Sequence, residues 1–129
     1  MKIFQKTIAM IALAAIVSFS AQAAPESNAV KKAKEAVEEA APYDWKTLAS
    51  SAEICFKKKE NTELALEWIN KSIEINKDPK NLEIKADYFA SIGEKSKALA
   101  LYSEAINTGK EQNFWFDSSD LQDKIWSLR

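Results

Sequence analysis

The candidate catalytic groups of this sequence are carboxylates, since it has 19 Asp and Glu residues and no histidine. Without histidine, Ser-His and Cys-His nucleophiles and zinc-histidine sites are excluded. The kind of catalytic site that remains possible is a pair of carboxylates in which an apolar pocket raises the pKa of one member. The central glutamates instead occupy exposed helical positions, where Glu53 with Lys57 and Glu67 with Lys71 form i,i+4 pairs. We therefore predict no catalytic residue and no enzyme activity.

Three aspartates near the C-terminus superficially suggest a metal site. Asp117, Asp120 and Asp123, with two serines between them, resemble part of a calcium-binding loop. The glycine and the closing glutamate of such a loop are missing, so capping of a helix is the better explanation. The sequence also has no glycine-rich loop for phosphate. We predict no metal and no cofactor.

Cysteine and basic residues give little support to redox chemistry or to nucleic-acid binding. Cys55 is the only cysteine and lies among apolar residues, which favours a small core residue. A disulfide between two chains is the alternative. The longest basic run, residues 57–59, suits the end of a helix. With a formal net charge of −1 and no clustered basic face, we expect no nucleic-acid partner.

Residues 1–23 have the pattern of a secretory signal peptide. Lys2 and Lys6 precede an apolar stretch of 12 residues over 8–19, and small residues at Ala21 and Ala23 favour cleavage before Ala24. The alternative is a retained membrane anchor, but the apolar stretch is shorter than the roughly 20 residues that a spanning helix needs. We expect a periplasmic or secreted protein of a Gram-negative bacterium, with no stable membrane span after cleavage.

The rest of the chain is predicted to consist of helices joined by short turns. Only two glycines and three prolines interrupt it. Residues 24–43 are rich in alanine, glutamate and lysine, and we predict a helical linker there that is marginal or frayed and ends at Pro42. Five further helices are predicted to begin at Asp44, Asn61, Asp78, about Ser96 and Asp117 or Ser118, with Gly93 and Gly109 ending the third and fourth.

The four central helices form two similar pairs. Small side chains at matching positions allow close approach of the helices, and larger ones fill the gaps between pairs. One set recurs after 33 residues: Ala65, Leu66, Ile69, Ser72 and Ile73 return as Ala98, Leu99, Tyr102, Ala105 and Ile106. A second set recurs after 34 residues, with Leu48, Ala52 and Cys55 returning as Leu82, Ala86 and Phe89.

This pattern resembles the tetratricopeptide repeat (TPR). The unit at 79–112 has the signature spacing of that family, and the unit at 45–78 resembles a degenerate copy. The signature residues of the better unit are Leu82, Ala86, Phe89, Gly93, Ala98, Tyr102 and Ala105. The resemblance implies an all-α domain over 44–129, a short right-handed superhelix of two TPR-like antiparallel helix hairpins plus a C-terminal capping helix at 117–128.

The resemblance also implies a concave groove for a partner, lined by the first helix of each pair. Glu53 and Asp87 stand where some family members place asparagines that clamp the terminal carboxylate of a peptide, so they would repel an acidic tail. We expect an exported adaptor or scaffold that binds a protein or a basic or mixed peptide. The implied groove residues are Lys46, Ala49, Glu53, Phe56, Lys57, Lys80, Glu83, Asp87, Ala90 and Ser91.

The aromatic run Phe114-Trp115-Phe116 leaves a second function open. Three consecutive aromatic side chains cannot all point inward, so the run either packs under the last helix or forms an exposed edge for a partner. An exposed edge would favour the alternative function, a self-associating structural protein of the periplasm that forms homo-oligomers.

Overall fold

A computed structural model describes residues 24–129, and this part of the chain contains six α-helices and no strand. The predicted all-α class is confirmed. The predicted signal peptide, residues 1–23, lies outside the described residues. The helices are α1 (Asn28–Glu39), α2 (Trp45–Lys58), α3 (Thr62–Ile75), α4 (Pro79–Ser91), α5 (Lys95–Gln112) and α6 (Ser119–Ser127).

The helices pack mainly with their neighbours in sequence. α2 packs against α3, and α4 against α5, across turns of three residues at 59–61 and 92–94. Turns this short make each pair an antiparallel hairpin. α4 contacts both helices of the first hairpin, α1 packs on α2, and α6 packs on α5. The two hairpins are therefore the centre of the domain, with one helix added at each end.

Capping side chains explain where the first helix of each hairpin begins. The Asp44 carboxylate accepts the backbone N–H of Thr47 at 3.0 Å at the start of α2. Asp78 caps α4, whose first residue is Pro79, and the side chain of Asn81 completes the capping box by accepting the N–H of Asp78. Both starts were predicted from the sequence because such side chains satisfy N–H groups that have no partner in the helix.

Both hairpin turns require a residue with a left-handed backbone. Gly93 has φ of 82° in the second turn, as the sequence predicts, whereas Lys59 has φ of 55° at the equivalent position of the first turn. Left-handed backbone is costly for a residue with a Cβ atom, and glycine avoids that cost. The first hairpin therefore contains a strained turn that the second hairpin lacks.

Replacement of Lys59 by glycine is expected to stabilise the protein by about 0.5–1 kcal/mol, because relief of the strain outweighs the greater entropy of the unfolded chain. Urea unfolding followed by circular dichroism measures the change. Gly93→Ala is the matched control and is expected to destabilise. A loss of stability in Lys59→Gly would contradict this account of the turn.

Gly109 does not end α5, so that prediction was wrong. The helix continues to Gln112, and Gly109 is buried in its last turns. The ring of Phe116 lies directly against Gly109, so a Cβ atom added there would overlap with the ring. The glycine is thus required for the close approach of an aromatic side chain rather than for helix termination.

The apolar core has two clusters that meet at Ile73. Ile69 and Cys55 are fully buried in the cluster of the first hairpin, and Leu82 and Tyr102 lie in that of the second. Ile73 packs against both clusters. The four alanines predicted to allow close approach, at positions 52, 65, 86 and 98, are fully buried. Cys55 is a core residue as predicted, and burial raises the pKa of its thiol.

The segment predicted as a linker, residues 24–43, contains α1, which belongs to the first core cluster. Val30 is fully buried against that cluster, and Ala33 is also buried. The N–H of Ser27 donates to Glu60 Oε2 at 2.9 Å, while the Ser27 hydroxyl caps α1. These contacts join the start of α1 to the first hairpin turn.

A buried polar network links the two hairpins. Asn81 is fully buried, and its amide nitrogen donates to Ser72 Oγ at 3.1 Å and to the carbonyl of Asn76 at 2.8 Å. Ser72 in turn donates to the carbonyl of Trp45 at 2.7 Å. The network therefore ties the first turn of α2, the end of α3 and the first turn of α4 into one unit.

Candidate functional site

A groove lies between α2 and α4, and two adjoining cavities form it. The first, termed here the aromatic pocket, encloses about 240 Å³ and the second about 410 Å³. Both are lined by Glu53 and Ile84, so they lie side by side. The aromatic pocket is lined by Glu53, Phe56, Lys57, Lys59, Ile84, Asp87, Tyr88 and Ser91, and the second cavity by Trp45, Lys46, Ala49, Ser50, Glu53, Asp78, Lys80 and Ile84.

The structure brings together most of the residues that the sequence assigned to a groove. Glu83 lies apart from them, in a cavity between α4 and the α5–α6 connection, and Ala90 lines neither cavity of the groove. The residues that do line the groove are Lys46, Ala49, Glu53, Phe56, Lys57, Lys80, Asp87 and Ser91.

Sequence reasoning missed Ile84 and Tyr88, two of the apolar groups of the groove. Ile84, Tyr88 and Ser91 follow one another at spacings of four and three residues, which places them on one face of α4. This periodicity is the signal that identifies them, but the assignment from the repeat pattern did not use it.

A stacked aromatic pair lines the aromatic pocket. Phe56 of α2 and Tyr88 of α4 have ring centroids 4.3 Å apart and an interplanar angle of 20°. Such a pair contributes roughly 0.5–1.5 kcal/mol beyond the area it buries. Both side chains are only partly buried, so the pair also offers apolar surface to a ligand.

Lys124 of α6 lies between Asp87 of the groove and the neighbouring Glu83. Its Nζ lies 2.7 Å from Glu83 Oε1 and 2.8 and 2.9 Å from the two carboxylate oxygens of Asp87. Tyr102 donates its hydroxyl to the same Asp87 at 2.6 Å. Burial lowers the pKa of Lys124, but the hydrogen bonds to Asp87 and Glu83 outweigh it, so the pKa lies above its ordinary value.

Glu53 and Asp87, the two carboxylates predicted to repel an acidic partner, are both paired in the structure. Glu53 forms an ion pair with Lys57 at 3.0 Å, and Asp87 is held by Lys124 and Tyr102. Lys59 and Lys80 line the groove as well, so its lining has four lysines against the three acids Glu53, Asp78 and Asp87. Repulsion of a negatively charged segment is therefore weaker than the sequence suggested.

Tyr102 is expected to make folding sensitive to alkaline pH. Burial first, and then the hydrogen bond to Asp87, raise the pKa of Tyr102 well above its ordinary value. The unfolded chain loses this proton above pH about 10 whereas the folded chain keeps it. The contribution of Tyr102 to the free energy of unfolding is therefore complete below that pH. It falls as pH rises, by about 1 kcal/mol at pH 11. Urea unfolding of the wild type and of Tyr102→Phe between pH 8 and 11 tests this prediction. The free energy of unfolding of the variant should decline less with pH than that of the wild type. Parallel declines would contradict the prediction.

The three residues of the C-terminal aromatic run differ in how far they are buried. Phe116 packs against Gly109, whereas Phe114 and Trp115 are 83% and 84% exposed. Asp117 accepts hydrogen bonds from the N–H and the hydroxyl of Ser119, which fits the predicted capping role. The Ser119 hydrogen bonds lower the pKa of Asp117.

Within residues 24–129, no three Cys, Asp or Glu side chains converge to hold a metal ion. None of the helices in that range is both long enough and apolar enough to cross a bilayer. The chain matches no protein-family model, no curated protein and no solved structure. The groove between α2 and α4 is thus the candidate site, and its own geometry is the basis for assigning a function.

Proposed function

We propose that the protein is an exported interaction module, an adaptor or scaffold, whose α2–α4 groove binds a peptide or a short segment of a protein partner. The observation that supports this most is the aromatic pocket, with its stacked Phe56 and Tyr88 beside Ile84. Its volume of about 240 Å³ is below the roughly 300–1,000 Å³ of sites for drug-sized ligands. The pocket suits one large apolar side chain.

As the frame of this groove, we propose a TPR-like arrangement. The hairpins over 45–78 and 79–112 stack in a right-handed superhelix, and α6 caps it. Three features support this proposal: the fully buried alanines of both hairpins, the left-handed turn residues Lys59 and Gly93 separated by 34 positions, and the network around Asn81. The groove between the first helices of the two hairpins would then be the concave face.

The chemistry of the groove predicts the kind of segment that it binds. An aromatic or large aliphatic side chain would fill the aromatic pocket against Phe56 and Tyr88. The lysines along the edges favour polar or acidic residues next to this anchor. The segment is thus mixed, with an apolar anchor, and no chemical step takes place on it.

A peptide library displayed on phage and selected against residues 24–129 tests this function. The expected consensus contains one aromatic or large aliphatic anchor, and isothermal titration should show binding that Phe56→Ala weakens at least about tenfold, as for a buried anchor. Ser91→Trp fills the pocket without removing a core side chain and should weaken binding as much. Tyr43→Ala is the matched control because Tyr43 is 81% exposed and lies outside the groove. Equal affinity of selected peptides for all four proteins would reject the groove.

Export is the second part of the proposal and is tested separately. When the full chain is expressed in a Gram-negative host, the protein is expected in the periplasmic fraction. Its mass should be that of residues 24–129. Ala23→Asp should block processing, because the cleavage site requires a small residue. Recovery of the unprocessed wild type in the cytoplasm would refute export but would leave the groove untouched.

A self-associating structural protein is the second candidate function. One observation favours it, namely that Phe114 and Trp115 are adjacent and almost fully exposed at the α5–α6 connection. Adjacent aromatic side chains in water are typical of surfaces that contact another molecule.

A further inference from the structure

We propose that the α2–α4 groove accepts the Phe114–Trp115 turn of a second copy of this chain, so that copies associate head to tail. The inference rests on the proposed function, since it assigns an occupant to the same groove. The donor is the turn at 113–118 with its two exposed rings, and the acceptor is the aromatic pocket with its surrounding lysines.

The donor turn is held in one conformation. The N–H of Trp115 donates to Asn113 Oδ1 at 3.0 Å, and the N–H of Phe116 donates to the carbonyl of Asn113 at 2.9 Å. Phe114 and Trp115 meet edge to face with ring centroids 5.0 Å apart. The Phe116 ring is anchored against Gly109. Binding of this turn therefore costs little conformational entropy compared with a flexible segment.

The charges of donor and acceptor are complementary. The donor turn carries the exposed Asp117, and the exposed Asp120 and Asp123 follow it on α6, with no basic residue between positions 114 and 123. The acceptor is lined by four lysines and by the three acids Glu53, Asp78 and Asp87, so lysines exceed acids by one. Its lysines are Lys46, Lys57, Lys59 and Lys80. An acidic turn placed over this surface meets net positive charge, which steers and orients its approach.

The donor turn lies too far from the pocket of its own chain to fill it. Gln112 donates to the carbonyl of Lys77 at 3.0 Å, and Phe116 lines a cavity with Pro79, so the turn sits at the beginning of α4. The aromatic pocket involves Tyr88 and Ser91 at the end of the same helix. Pro79 and Tyr88 are nine residues apart on α4, about 14 Å along the helix, so the turn lies beside the second cavity of the groove but away from the stacked rings of the aromatic pocket. Filling of the pocket by this turn therefore requires a second copy.

Donor and acceptor are different surfaces, so the contact is heterologous. Such contacts close into a ring or a reciprocal pair, or else they extend as an open chain. One aromatic turn in one pocket is a small interface of the weak, transient class, and we expect a Kd on the order of 100 µM.

Sedimentation equilibrium of residues 24–129 with complementary variants tests the inference. The average mass of the wild type should rise above one copy as concentration approaches the millimolar range. Trp115→Ser removes the donor and Ser91→Trp blocks the acceptor, so each variant alone should stay monomeric. Their equimolar mixture should form a 1:1 dimer, because one variant keeps an open pocket and the other keeps the turn. Trp126→Ser is the control, since Trp126 is an exposed tryptophan outside the turn, and it should associate like the wild type.

Several outcomes would overturn the inference. These are a wild type that stays monomeric at 1 mM, association that neither variant reduces, or a mixture that forms no dimer. Co-sedimentation with phosphatidylcholine–phosphatidylglycerol vesicles that requires Trp115, with no association between copies, would assign the turn to lipid instead. If copies do not associate but displayed peptides still bind the groove, this inference fails and the proposed function stands. If neither binds, both fail.

Discussion

Replacement of Asn81 by alanine is expected to lower the free energy of unfolding by about 3 kcal/mol, because it removes three hydrogen bonds and a fully buried side chain at the junction of the two hairpins. The side chain is fully buried, and its amide reaches Ser72, the carbonyl of Asn76 and the N–H of Asp78. Urea unfolding followed by circular dichroism at 222 nm measures the loss.

A control and a second variant make the expected result for Asn81 specific. Asn70→Ala, at an exposed position of α3, should change stability by less than about 0.5 kcal/mol. Ser72→Ala combined with Asn81→Ala should cost less than the sum of the two, with a coupling of about 0.5–3 kcal/mol for groups in one network. An Asn81 variant as stable as the Asn70 control would show that the network does not hold the hairpins together.

Truncation of the core at Ile69 or at Leu82 is expected to have a similarly large effect. Ile69→Ala and Leu82→Ala should each destabilise by about 3 kcal/mol, within the usual range of about 2–5 kcal/mol for buried aliphatic residues. Ile69 is 0% and Leu82 is 1% exposed, and they belong to different core clusters. Since Ile73 packs against both clusters, each variant should still unfold in one cooperative transition.

Ile92→Ala is the control for these core variants, because Ile92 is 53% exposed and should contribute little. Calorimetry distinguishes one transition from two. If Leu82→Ala melted α4 and α5 while α2 and α3 stayed folded, the hairpins would be independent units, and the groove between them would not have a fixed shape.

Helix starts and the all-α class were predictable because their causes are local. Asp44 and Asp78 cap the helices that they precede, and their side chains bond to residues two or three positions later. Gly93 was predictable for the same reason, since a helix that ends on a left-handed residue favours glycine. Gly109 was misassigned because its role depends on the ring of Phe116, which a reading of local signals does not place.

The packing of the N-terminal helix α1 was also not predictable from local signals. Its apolar stripe is mostly alanine, and alone it buries too little to predict more than a marginal helix. The contacts of Val30 with the first core cluster depend on where α2 and α3 lie. The periodic stripe marks the face of α1 that holds Val30 and Ala33, but it does not identify the helices against which that face packs.

For the candidate site, the repeat pattern predicted which residues of α2 and α4 line the groove but not all of the ion pairs that they form. Lys124 lies 37 residues from Asp87 in sequence, and only the packing of α6 brings its ammonium group to that carboxylate. The sequence predicted the pair of Glu53 with Lys57 but no partner for Asp87, which Lys124 supplies in the structure. Tyr88 was missed because the repeat assignment did not use the helical periodicity of α4.

The most direct test of the central claim is a ¹H–¹⁵N NMR titration of residues 24–129 with the tightest peptide from the display selection. The binding surface proposed here predicts chemical-shift changes concentrated on backbone amides of α2 and α4 around Phe56, Tyr88 and Ser91, with little change on the exposed faces of α3 and α5. Changes confined to α3 and α5, or spread evenly over the protein, would contradict the claim that the groove between the two hairpins is the site that binds a partner.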